Sequence, residues 1–301
     1  MTIAAPRRRS RFIVGGTASL AVVAFLLWGW SVSWRPPSAY LPSGPSLAPR
    51  IMPMAAYREV IETHPRPYIL RLDIGPGSAV IVGVSHTKDP DDPLVGIIQS
   101  EWTSARPTVA LVEGRPGAPF AALANPVKKF GEGGLVTALA RASGVPIYTW
   151  EPERDRLTDA MLSMYPRERV ALLTILNPYF SNLRHGKPAD PDAVVERTRA
   201  KRAGWKGLEG VFASVAEIDA VWRRDFAGLP DWRDTSDQFG LPGYLAEMSD
   251  FSRDLRTANL AEAVTELASR GERVFAVCGV SHAVRIEPAL TAPPPGVGHT
   301  P

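Results

Sequence analysis

Two stretches decide the reading of this chain: Ser78-Ala-Val-Ile-Val-Gly83-Val84-Ser85-His86, and Arg273-Val-Phe-Ala-Val-Cys278-Gly279-Val280-Ser281-His282. Each is a short β-branched, apolar run that ends in the same four residues, Gly-Val-Ser-His. Runs of this length without polar alternation are expected of strands covered on both faces. In open α/β sheets, ligands bind in the crevice outside the carboxyl ends of the strands. A glycine there lets the backbone turn sharply, and the histidine three residues later can reach into the crevice. If the two strands are neighbours, His86 and His282 meet at one site.

Outward from these stretches, the pattern alternates. Tyr68–Ile74 and Ser78–Val82 flank Gly75-Pro76-Gly77, which predicts a hairpin. Pro93–Arg106 has helical spacing, Thr108–Val112 reads as a strand, and Gly134–Ser143 reads as a helix. Val145–Trp150 is strand-like and Arg154–Met164 helical. Residues 166–270 are mostly helical in pattern, with prolines and tryptophans at 228–243 marking an irregular loop. The expected fold is α/β: a central, mostly parallel sheet with covering helices and a helical insertion before the last strand.

Composition narrows the function classes. The 301 residues are 45% hydrophobic and 22% charged, ordinary for a globular protein. The net charge of +3 is more than accounted for by arginines 7, 8, 9, 11 and 35. No basic face remains to argue for nucleic acid. The single cysteine, Cys278, rules out an intrachain disulfide and reads as an inert core residue.

From Phe12 to Trp34 the chain carries no charge, enough helix to cross a hydrocarbon core. The preceding arginines place residues 1–11 in the cytoplasm and the remainder outside. Residues 12–34 are therefore expected to anchor the chain in a membrane, a cleaved signal peptide being the competing reading. Arg8-Arg9 bears only a weak likeness to a twin-arginine signal. Prolines at 36, 37, 42, 45, 49 and 53 make residues 35–60 a linker by composition. The globular domain is expected over 61–290 and a disordered tail, holding His299, over 291–301.

Glu113 directly follows the strand Thr108–Val112, so it joins the two histidines at the same kind of position. Two histidines and a carboxylate suit a divalent transition metal acting on water or a carbonyl. The same trio can also work without metal, as base, orienting partner and acid. His64 and His185 lie in polar loops and read as solvated, while Glu151 follows a strand and could line the crevice, a helix-start carboxylate being the simpler account. No GxGxxG, P-loop, HExxH or GxSxG is present, which argues against nucleotide, zincin and ordinary serine-hydrolase chemistry.

The order of these elements resembles the TraB/GumN/Tiki group: a GxxH, a strand ending in Glu, a helix carrying Arg, and a strand with a second GxxH. That group belongs to a superfamily that includes erythromycin esterase-like and ChaN-like proteins. The resemblance covers roughly residues 65–290. On it, Gly83–His86 and Gly279–His282 are the paired motifs, Glu113 the family glutamate and Arg256 the helical arginine. Many members follow that arginine with Asn or Asp, whereas here Thr257 follows, with Asn259 two residues later. Glu132, in Gly131-Glu132-Gly133, is similar to a Gly-Glu element of relatives and is a further catalytic candidate.

The resemblance implies a membrane-anchored, extracytoplasmic hydrolase of peptide or ester bonds that depends on a divalent metal (Mn, Co or Zn). His86, His282 and Glu113 would be its ligands, and Arg256 would stabilise negative charge on a peptide or small-molecule substrate. Other branches cleave esters or bind haem iron. The alternative is thus an envelope protein that binds metal, haem or a partner without turnover.

Overall fold

The computed structural model describes residues 32–183, 186–237 and 240–291. The basic tail 1–11, the apolar run up to residue 31, His185 and His299 lie outside them. Among the described residues no helix is long and apolar enough to cross a membrane. The chain forms two compact units.

The first unit takes residues 32–38, 65–149 and 267–283. Its five strands are β1 (Tyr68–Ile74), β2 (Gly77–Val84), β3 (Val109–Val112), β4 (Ile147–Thr149) and β5 (Arg273–Gly279), in the order β1-β2-β5-β3-β4. β1 and β2 form the expected antiparallel hairpin, and every other pairing is parallel. The last strand in sequence is therefore the central one. β3 is buried along its whole length and β5 at all but Arg273, which is why neither alternates with polar residues. Between β2 and β3 runs α2 (Pro93–Ala105), capped by the Asp92 carboxylate and started by Pro93. Its Leu94, Ile98 and Trp102 pack on one face of the sheet, Trp102 edge-on to Phe275 at 5.2 Å.

Between β3 and β4 lies α3 (Pro126–Ala142). It begins well before Gly134, the expected start, because Asn125 caps it through the Lys128 amide and Pro126 fits the first helical position. It is broken at Gly131, where φ 65° and ψ −152° are open only to glycine. The turn after Glu132 is thus a second helix start.

The second unit takes residues 39–64, 150–266 and 284–291. It holds α1 (Met54–Val60), α4 (Arg154–Met164), α5 (Arg167–Asn182), α6 (Pro191–Arg202), α7 (Val215–Asp225), most of α8 (Tyr244–Ser269) and the later turns of α9 (Val280–Thr291). Among the described residues no strand interrupts α4 to α8, matching the expected helical insertion. Its core is aromatic: Trp222 lies 4.4 Å from Phe226, and Tyr179 meets Trp232 edge-on at 5.3 Å. Residues 228–243, read as irregular from their composition, still contribute to this core. Trp232 is fully buried and donates its indole N–H to Asp219, while Arg233 pairs with Asp192, Asp219 and Asp231.

The stretch 35–60, expected to be a linker, carries a 3-10 turn at Ala48–Arg50 and the helix α1, and is held at many points. In the first unit, Trp34 is buried, bridges to Ala118 and stacks on Phe130 at 5.8 Å. Ser38 accepts the Thr149 amide. In the second unit, Leu47 and Ile51 are buried. Amides that lie between the prolines donate to α8 carboxylates: Ser43 and Gly44 to Glu266, and Leu47 to Glu262. Proline content carries no information about these distant acceptors.

Candidate active site

The register of the sheet builds the site. Val84 of β2 lies opposite Gly279 of β5, and Val112 of β3 opposite Val277. The three strand ends are therefore nearly level, and the residues that follow them converge. His86 sits two positions beyond β2 and Glu113 one beyond β3. The Gly279 N–H donates to Glu113 Oε2 at 2.8 Å, so the carboxylate spans the end of β5. His86 Nε2 lies 3.8 Å from that same oxygen.

On its other side, His86 presents Nδ1 to Glu132 Oε2 at 3.4 Å. The second Glu132 oxygen accepts the Thr87 N–H. The Gly131 break makes this possible. A β-carbon at Gly131 would lie 3.0 Å from the Thr87 carbonyl oxygen, and one at Gly133 would lie 3.1 Å from that of Glu113. The Gly-Glu-Gly element passes closely between the two loops and leaves Glu132 at a helix start, where a carboxylate is favoured. His86 is thus gripped by two carboxylates of different setting. Its side chain is 50% exposed, that of Glu113 24% and that of Glu132 7%.

The motif glycines have a different reason from the sharp turn expected of them. Neither Gly83 nor Gly279 has a positive φ. A β-carbon at Gly279 would lie 3.1 Å from His86 Nε2, and one at Gly83 only 2.5 Å from the Ala283 β-carbon. Each motif's glycine is therefore covered by the segment that follows the other motif's strand. This interlock gives the repeated glycine a packing reason.

The two histidines are not equivalent. His282 is the third residue of α9 and only 5% exposed, against the half-exposed His86. The structure brings His86, Glu113 and Glu132 together at one place. Arg256 lies in the second unit, on α8, where its guanidinium is 2.6 Å from Glu151 and lies over the Trp150 ring. Thr257, the next residue, turns its hydroxyl to the Arg253 carbonyl. Asn259 is buried and donates to the Trp150 carbonyl. His64 stacks on Tyr57 in the same unit. Cys278 is buried as expected, and burial, with the nearby Glu113 charge, pushes its thiol well up.

Among the described residues no group of three or more His, Cys, Asp or Glu side chains is arranged to hold a metal ion. His86 Nε2 and Glu113 make up a two-donor face of the right chemistry. One buried residue escaped the sequence reading. Arg285 donates to the Met52 carbonyl and Thr257 and pairs with Asp254, holding three segments of the second unit together. Its place in an apolar helical run, Ala283-Val284-Arg285-Ile286, was the available signal.

Compared with protein-family models, with curated proteins and with solved structures, the chain matches none.

Proposed function

We propose that this chain is a hydrolase of peptide or ester bonds, anchored by its N-terminal apolar run and working outside the cytoplasm, with His86 as its general base. The observation that carries the reading is the half-exposed His86 imidazole, set between Glu132 and Glu113 beyond the ends of parallel strands. With a proton on Nδ1 facing Glu132, Nε2 keeps its lone pair toward Glu113. A separation of 3.8 Å is too wide for a direct hydrogen bond and suits one bridging water. Nε2 takes a proton from that water as its oxygen attacks the substrate carbonyl, and Glu113 orients it. Glu132 fixes the tautomer and stabilises the imidazolium that forms. In the metal-dependent form of this reading, His86 Nε2 and Glu113 would instead hold a divalent Mn, Co or Zn ion, with His282 as the third ligand implied by the resemblance, and Nε2 would then be a ligand and not the base. The ion would supply acidification of bound water.

The test is turnover of a panel of peptide and ester reporters by the detergent-solubilised full chain, together with its metal content by mass spectrometry. Loss of general-base catalysis in His86→Ala is expected to lower turnover by about 10²–10⁴-fold, with a smaller loss in Glu132→Gln. Unchanged turnover in His86→Ala overturns the proposal. Stoichiometric metal with no turnover of any reporter identifies a binding protein instead.

A further inference from the structure

Within the first unit, the loop between β3 and α3 carries two large apolar side chains outward. Phe120 is 42% exposed and Leu123 61%. Among the described residues the other exposed large apolar side chains, Leu41, Met164 and Leu229, stand singly. Pro119 and Ala122 are exposed as well, so the tip Pro119–Leu123 is apolar at nearly every position. Phe120 holds a left-handed backbone, φ 53°, which a β-carbon disfavours.

The same loop is stitched to the point where the apolar N-terminal run ends. The Ala122 N–H donates to the Val32 carbonyl at 2.9 Å, Trp34 N–H to the Ala118 carbonyl at 3.0 Å, and Phe120 N–H to Ser33 Oγ at 3.1 Å. Whatever surface the run enters, this tip starts within a residue or two of it. The surroundings are basic. Arg35, Arg115, Lys128 and Lys129 are exposed, and no acidic residue occurs in 32–38 or 114–131. Apolar side chains at a tip with cations around them suit the interface of an anionic bilayer.

We propose that Pro119–Leu123 is a second membrane contact, with Phe120 and Leu123 seated in the headgroup region beside the anchor and the four cations on anionic lipid. This rests on the anchoring reading above. One chain in a bilayer and one apolar tip on its surface together fix the first unit against the membrane, where a single span leaves it free to swing.

The buried Cys278 makes the test clean, because an added cysteine is the only accessible thiol. The full chain carrying Leu123→Cys, labelled with an environment-sensitive fluorophore, is reconstituted into phosphatidylcholine vesicles containing phosphatidylglycerol. Ser104→Cys, exposed in the same unit, is the control. The label at 123 is expected to be blue-shifted, quenched by brominated acyl chains and shielded from iodide, and the label at 104 open to iodide. A carbonate wash separates the two ideas. If the chain resists the wash while the label at 123 is as open to iodide as that at 104, the tip proposal is wrong and the anchor stands. If the wash strips the chain from the vesicles, the anchor reading fails and this proposal falls with it.

Discussion

A methyl group at position 279 would press on the His86 ring, since the added carbon would lie 3.1 Å from Nε2. Gly279→Ala is therefore expected to fold and to lower kcat by about 10–100-fold, as displacing a reacting group by a fraction of an ångström does. Steady-state kinetics beside a thermal melt checks it. The two histidines should separate in the same pair of measurements. His86→Ala removes a half-exposed side chain and should melt near the wild-type temperature. His282→Ala empties a buried position and should cost about 1–3 kcal/mol. Sequence alone made the two equivalent, because a repeated motif says nothing of what later packs over each copy.

At the scale of elements, the helical unit is tied by acids whose ionised form is favoured by folding. Asp219 is pushed up by burial, but hydrogen bonds from Arg233 and Trp232 outweigh this and hold it below the ordinary range. Asp225 is held low chiefly by Arg224, with help from Tyr244. A carboxyl lowered in the folded state stabilises above its unfolded pKa, and that contribution is lost as pH falls through the folded value. The unit should lose stability below about pH 4, and Asp219→Asn should flatten that loss in a pH series of urea melts. The elements themselves were legible. Both site strands, the hairpin, α2 and α4 follow from apolar periodicity and turn residues, and Glu113 from its place after β3. Three things were not: the break at Gly131 that turns Glu132 toward His86, the burial of Arg285, and the attachment of the proline-rich stretch. Each depends on an acceptor or a backbone far along the chain, which local pattern does not encode.

On the scale of the whole molecule, a metal that binds the folded site must stabilise it by mass action. At one hundred times its dissociation constant the gain is about 2.7 kcal/mol. Addition of manganese, cobalt or zinc is expected to raise the melting temperature of the full chain and not that of His86→Ala. Equal shifts in both would place the metal elsewhere. The strand order has its own consequence. Because β5 lies between β2 and β3, the hairpin β1-β2 and the pair β3-β4 cannot join until a strand made after the whole helical insertion arrives. Gly279, whose amide anchors Glu113, arrives with it. A nascent chain emerging N-terminus first, or one cut short before residue 273, thus carries both halves of the sheet and most of the site residues but no assembled centre. The meeting of His86, Glu113 and Gly279 is timed by chain order: it is complete only once β5 has been delivered.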